Sequence, residues 1–308
     1  MPVRNGERWL AGAVASARAE CSPGDEVIVV DDGSRVPVRL DGARVIRQPP
    51  LGIVAALEAG RHATDAPLLA RLDADDVALP GRIAAQRAAM GEGVVAVGGR
   101  ARTDAEGEGM RRYVAWVNGL ADLHRELLVE APLFHPAVLL RASAVEAVGG
   151  YRDGDFPEDY DLWLRLAEVG RLVAVDREVV ALRDRPDRLT RTDPRYRPAA
   201  FLRLKQDWVA RNLLRGAPRV VVWGANKAGT PWIRWLVARG VNVVAALDIK
   251  PGVSRAGVPI RPPASLASLD LDLLLVAVGA RGARDEIRGE IARMRPELVE
   301  GREWWAVT

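Results

Sequence analysis

Three carboxylates stand within four positions at Asp73-Ala74-Asp75-Asp76, directly after the apolar run Leu68-Leu69-Ala70-Arg71-Leu72. Carboxylates crowded in this way repel one another unless a cation lies between them. Asp73 and Asp75 are two apart, so an extended segment puts both on one face, where their oxygens could hold a hard divalent ion. On the residues alone an ordinary role competes with that one: Asp76 before Val77-Ala78-Leu79-Pro80 could introduce the helix expected over 82–90. Two further acidic groups bear on chemistry. Asp31-Asp32 precede Gly33-Ser34, a pattern that an ordinary turn also uses, and Glu158-Asp159-Tyr160-Asp161 follow the loop Phe156-Pro157. A carboxylate positioned at such a loop-to-helix junction could take a proton from a hydroxyl, although acids in a first helical turn are also commonplace. His135 stands before Pro136 with no second His or Cys at ligand spacing, so it reads as a packing or hydrogen-bonding residue and not as a metal ligand.

Elements that alternate between strand and helix have to position these groups. The apolar run 27–30 ending in Asp31 and Asp32 reads as a buried strand, 45–46 as a short one, 52–62 as a helix and 67–72 as the next strand. Such alternation gives a sheet covered by helices, and ligands of open α/β sheets sit beyond the carboxyl ends of the strands. A helix is expected over 7–19, with Leu10, Val14 and Ala17 at helical spacing and no strand ahead of it. Beyond it the pattern predicts a strand over 93–99, a hairpin through the Gly-containing turn 103–109 into 110–114, a helix over 120–130 and a strand over 134–141. Gly149-Gly150 stops a short helix begun at Ser143.

The chain has 308 residues, enough for one large or two ordinary domains, and 49% hydrophobic with 28% charged residues is the makeup of a folded globular protein. Its 44 basic residues, nearly all Arg, barely outnumber 41 acidic ones and are scattered, without the basic block and interleaved aromatics of a nucleic-acid groove. Nucleic acid is therefore not the expected partner. Cys21 is the only cysteine, which rules out an intrachain disulfide and suits a reducing compartment. No apolar stretch approaches the length of a membrane span, so a cytoplasmic location is expected, with peripheral contact at the inner membrane face left open.

In order and spacing, Asp31-Asp32-Gly33-Ser34, then Asp73-Ala74-Asp75-Asp76 with Pro80, then His135-Pro136, Gly149-Gly150-Tyr151 and Glu158-Asp159-Tyr160-Asp161-Leu162-Trp163 together resemble the family 2 glycosyltransferases. The resemblance covers about residues 1–190. It implies the GT-A fold: a mixed, mostly parallel sheet with helices on both faces. It also implies an inverting transfer of a sugar from a nucleotide-diphosphate donor, UDP-linked in the commonest case, to an acceptor hydroxyl of a glycan or lipid-linked acceptor. By position, Asp32 matches the residue that holds the nucleotide base, with Asp31 supporting the loop and Asn5 at the same end. Asp73 and Asp75 match the DXD motif that holds ribose and a divalent metal, Mg or Mn. Asp159 matches the catalytic base, with Glu158, His135 and Tyr151 on the acceptor side. Arg183, Arg185, Arg188 and Arg191 fall in the segment after the last core strand, where one could touch diphosphate. In the family the 2–5 loop follows a first central strand; that strand is expected to be missing here, through a late start. A sugar-nucleotide nucleotidyltransferase and a catalytically idle sugar-nucleotide-binding module are the rival readings.

After a connecting helix and linker over 196–217 the pattern restarts, and residues 218–308 resemble a small Rossmann-like domain: a strand at 219–223, the turn Gly224-Ala225-Asn226-Lys227-Ala228-Gly229, a helix, and a strand ending in Asp248. Gly224, Gly229 and Asp248 are the candidate ligand residues of this half, although Asn226 stands where a middle Gly would approach a pyrophosphate, and Gly-rich turns also serve close packing alone. The expected layout is 1–195, the 196–217 connector, and 218–308.

Overall fold

A computed structural model describes residues 1–250, 252–280 and 282–308. Its contacts divide the chain into two compact units, one of residues 1–123 and 131–200, the other of 124–130 and 201–308.

The first unit runs β1 (Pro2–Val3), α1 (Glu7–Ala19), β2 (Ile28–Asp32), β3 (Arg44–Gln48), α2 (Ile53–His62), β4 (Leu68–Ala70), β5 (Val77–Ala78), α3 (Arg82–Ala89), β6 (Val94–Thr103), α4 (Glu108–Asn118), β7 (Leu139–Arg141), α5 (Ala142–Ala147), α6 (Glu158–Leu166), β8 (Arg171–Leu182) and the single turn α7 (Leu189–Thr192). Two sheets carry it. One is all parallel, in the order β1-β2-β3; the other is mixed, in the order β4-β7-β6-β8-β5. A cavity of about 250 Å³ is lined by Ile28 of β2, Leu57 of α2, Leu68 of β4, Leu139 of β7 and Tyr151. The expectation that no strand precedes α1 is corrected. Pro2 and Val3 pair in parallel with Val30 and Asp31, and the amino terminus donates to the Ile28 carbonyl at 2.8 Å.

Three further expectations fail for identifiable reasons. Residues 110–114 belong to helix α4 and not to a hairpin: Met110, Tyr113, Val114 and Val117 recur at helical spacing and bury one face, which outweighs the turn signal of Gly107 and Gly109. Residues 120–130 form successive turns in place of a helix, and the chain passes from the first unit to the second at Leu123, so no single helical face could serve both. In 134–141, Pro136 has no N–H to give a ladder, and the segment makes a 3₁₀ turn at His135–Ala137 before β7 begins. β8, the longest strand, pairs in parallel with β6. The pairing steps from Val175 opposite Gly99 to Glu178 opposite Arg100, so Asp176 and Arg177 bulge out, and Arg100 pairs with Asp176 at 2.6 Å.

The chain continues through α8 (Pro198–Asn212) into the second unit, with β9 (Val220–Trp223), α9 (Gly229–Ala238), β10 (Val243–Leu247), β11 (Ser254–Arg255), β12 (Val258–Arg261), β13 (Leu273–Val276), α10 (Ala283–Met294) and β14 (Trp304–Ala306). Its sheet has the order β11-β12-β10-β9-β13-β14, parallel throughout except for β11 on β12, so the strand sequence reverses direction on either side of β9. Val221, Trp223, Leu247, Leu274, Ile287 and Trp304 fill its core. Among the described residues no helix is long and apolar enough to cross a membrane.

Candidate active site

β4 stops at Ala70 because Arg71 turns its N–H to the Val138 carbonyl at 3.0 Å, and a tight turn follows in which the Asp76 N–H reaches the Asp73 carbonyl at 3.3 Å. The turn gathers Asp73, Asp75 and Asp76 so that one carboxylate oxygen from each lies within 4.8 Å of the others. Asp76 is 2% exposed and its Oδ2 has no hydrogen-bond partner, while Oδ1 accepts the Arg183 N–H at 2.8 Å. Burial, followed by the charge of Asp73, pushes Asp76 up to about 7 and also raises Asp75. Three hard oxygen donors with one buried oxygen left unbonded fit a divalent cation, which would offset the repulsion that adds to burial in raising Asp75 and Asp76.

The antiparallel pairing of β5 with the end of β8, Val77 opposite Ala181, delivers the residues after β8 to this cluster. Arg185 Nε lies 3.0 Å from Asp75 Oδ2. On the other side Arg71, itself buried, pairs with Asp73 at 2.5 Å, and the buried Arg82 holds the Arg71 carbonyl at 2.6 Å.

A second acidic centre heads α6. Glu158 is 2% exposed; its Oε2 accepts the Tyr196 hydroxyl at 2.7 Å and its Oε1 lies 4.0 Å from His135 Nδ1. His135 Nε2 and the Tyr151 hydroxyl are 2.8 Å apart. Burial, with Arg71 adding to it, keeps the His135 pKa well below the ordinary value and the ring neutral. Tyr151 is placed by a close approach. Gly150 has φ +66°, a Cβ there would stand 2.6 Å from the Glu58 carboxylate, and that carboxylate accepts the Tyr151 N–H at 2.8 Å. Asp159 keeps some exposed surface, and its Oδ1 accepts the Tyr160 N–H at 2.7 Å. Burial of its carboxyl and the adjacent Glu158 charge raise it to about 7. Arg71 opposes the rise at both Glu158 and Asp159. His135 and Tyr151 are thus hydrogen-bonded to each other, with the Glu158 carboxylate 4.0 Å from the other ring nitrogen and Asp159 next to Glu158 in the chain.

Asp31 and Asp32 close loops. Asp31 accepts the Ser34 and Val38 N–H groups at 2.8 and 3.1 Å and pairs with Arg47 at 2.8 Å. Burial alone would raise its pKa, but these bonds outweigh it and the pKa is lowered. Asp32 accepts from Gln48 Nε2 and the Leu51 and Gly52 N–H groups at 2.8, 2.8 and 2.9 Å. Asn5, with φ +52°, ties the end of β1 to the same loop. Its N–H donates to Ser34 Oγ, and its Oδ1 accepts the Arg35 N–H, both at 2.9 Å. Asn5, Asp31 and Asp32 are therefore brought together.

In the second unit Gly224, Gly229 and Asp248 also meet, around the turn after β9. A Cβ on Gly229 would stand 1.7 Å from the Gly224 carbonyl, and the Asp248 carboxylate accepts the Ala225 and Lys250 N–H groups, each at 2.9 Å. Each of the three has a packing role that accounts for its type. Sequence reasoning missed Arg71, which reads as a blemish in a strand, and Tyr196, which lies 38 residues from the carboxylate it serves.

Residues 1–149 match the glycosyl transferase family 2. An amylovoran biosynthesis glycosyltransferase of Erwinia amylovora is 30% identical over 161 residues, covering 49% of this chain and 60% of the relative. A pre-mycofactocin glycosyltransferase of Mycobacterium tuberculosis is 31% identical over 283 residues, covering 81% of this chain and 54% of the relative. The chain thus spans a little over half the length of these curated relatives. Among solved structures, S. aureus TarS 1-349 in complex with UDP-GlcNAc shares the fold, with a TM-score of 0.52 at 13% identity over 70% of this chain and 65% of that one. Residues 1–149 are thus similar to the glycosyl transferase family 2, and the first unit has the GT-A fold.

Proposed function

We propose that the chain transfers a sugar, with inversion, from a nucleotide-diphosphate sugar of the UDP type to an acceptor hydroxyl in polysaccharide, cell-surface glycan or glycolipid assembly. The observation that carries this reading is the oxygen cluster of Asp73, Asp75 and Asp76, built at a strand end within the residues similar to family 2. Asp73 and Asp75 would hold a divalent cation, Mg or Mn, which when bound would supply charge compensation for the leaving diphosphate. Asp159 accepts the proton of the attacking hydroxyl, for which a pKa of about 7 suits a base that works near neutrality. Glu158, His135 and Tyr151 shape the acceptor side; the neutral ring and the hydroxyl offer hydrogen bonds without adding charge. Asn5, Asp31 and Asp32 hold the loop that meets the nucleotide. The chemistry is assigned to residues 1–195, with 196–217 as connector and 218–308 as a scaffold whose glycines serve packing.

The test is release of nucleoside diphosphate from a panel of nucleotide sugars with Mn or Mg present. Asp159→Asn is expected to keep donor binding and lose transfer and hydrolysis by about 10²- to 10⁴-fold, the range of general base catalysis. Unchanged slow hydrolysis in that variant would refute the assignment.

A further inference from the structure

The segment after β8 is fastened to the acidic cluster by two arginines that hold it in different ways. Arg183 is fixed at three points: its N–H donates to Asp76 Oδ1 at 2.8 Å, its Nε donates to the Asp75 carbonyl at 3.2 Å, and its guanidinium carbon lies 3.8 Å from the centre of the Trp9 ring. None of these contacts uses an Asp75 carboxylate oxygen. Arg185 does the opposite. Its Nε stands 3.0 Å from Asp75 Oδ2 without the alignment of a hydrogen bond, so its hold on the segment is that of a charge alone. It is about one-third exposed, and a second acid, the exposed Asp187, lies 3.5 Å from the same nitrogen.

Asp75 is also one of the three carboxylates whose oxygens converge. Its carboxylate carries one negative charge for which two cations are candidates, a guanidinium already in place and a divalent ion that the geometry fits. Resting on the metal reading proposed above, we propose that Arg185 and a divalent cation compete for the Asp75 carboxylate, so that metal entry expels Arg185 to Asp187 while Arg183 stays fastened. Arg185 is then a cation that the chain itself supplies to hold the three acids together, and the 184–192 segment loosens when the metal takes over. Arg191 moves with it, since it donates to the Arg185 carbonyl at 2.9 Å and pairs with Asp184 at 2.8 Å. The exchange sets metal affinity below what the three acids would otherwise show.

The test is a titration with Mn²⁺ alone, without nucleotide, following free Mn²⁺ by electron paramagnetic resonance. Removing a half-buried competing ion pair is expected to tighten binding roughly three- to fivefold in Arg185→Ala, with Arg185→Lys in between. In the unaltered chain, Mn²⁺ is expected to speed amide hydrogen exchange over residues 184–192 but not at the Arg183 N–H. Equal or weaker binding by Arg185→Ala overturns the proposal, as does an exchange pattern that Mn²⁺ leaves unaltered. Asp75→Asn separates the two levels: loss of binding there places the ion at Asp75 whatever Arg185 does, whereas undiminished binding removes the metal reading and the competition with it.

Discussion

Replacing Asp159 by Asn should stabilise the protein, and the gain should depend on pH. Burial and the adjacent Glu158 charge raise the Asp159 carboxyl from an ordinary value near 4 to about 7, so the fold disfavours its ionised form. The unfolded chain ionises Asp159 near pH 4 and the folded chain only near pH 7, so between those values the folded state binds more protons. Stability therefore falls as the pH rises through that window, and the full penalty is present above pH 7. Three pKa units correspond to about 4 kcal/mol at most; the exposed part of Asp159 and its sharing of charge with Glu158 reduce this to roughly 1–2 kcal/mol. Asn keeps the shape and an oxygen for the Tyr160 N–H but cannot ionise. Thermal melts of both proteins, at pH 8 and at pH 4.5, should show Asp159→Asn melting several degrees higher at pH 8, with most of that difference gone at pH 4.5. A variant that melts no higher at pH 8, or higher by the same amount at both pH values, would refute the argument that Asp159 stores ionisation strain. The same strain is what a base that works near neutrality requires, so inactivity with raised stability is the pattern expected of a catalytic carboxylate.

Two more predictions follow from the geometry around the same pair. Tyr196→Phe removes the 2.7 Å hydrogen bond to Glu158 and should cost about 1.5–3 kcal/mol in chemical denaturation, with the acid limb of the rate profile displaced from that of the unaltered chain; an unchanged profile would place Tyr196 outside the electrostatics of the site. Gly150→Ala puts a Cβ 2.6 Å from the Glu58 carboxylate at a positive φ, and a loss of about 1–3 kcal/mol with weakened acceptor use is expected, read by melting and by KM for the acceptor.

The strand-to-acid junctions were legible because two local signals coincide there, an apolar or β-branched run and the polar turn that ends it, as at Val29-Val30-Asp31-Asp32 and Leu68 to Asp76. Where local signals conflict, tertiary packing decided. Gly107 and Gly109 speak for a turn, yet the burial of Val114 and Val117 draws 108–118 into a helix. β8 escapes a periodicity reading because its polar Asp176-Arg177-Glu178 interrupts the apolar run, and only the partner strand shows that two of these residues are a bulge. At Pro136 the apolar pattern alone reads as continuous strand, but the missing N–H ends any ladder there, and β7 begins only at Leu139.

The acids of the site were visible in the sequence, whereas the residues that set their charge were not, and Arg71 shows why. In an apolar run its side chain reads as noise, since the pattern records only that one position in a strand is polar. The fold buries that guanidinium, pairs it with Asp73, and lets its charge act on Glu158, Asp159 and His135 together. A single buried cation thereby opposes protonation at the α6 carboxylates while it helps to keep His135 neutral. It links the Asp73 end of the first acidic cluster to Glu158 and Asp159, although the two groups are some 85 positions apart in the chain. A lysine could supply the charge but not the planar fork, and it gives up its proton more readily when buried. The balance between the two acidic centres therefore depends on a residue whose importance appears only once β4, β7 and α6 are folded around it.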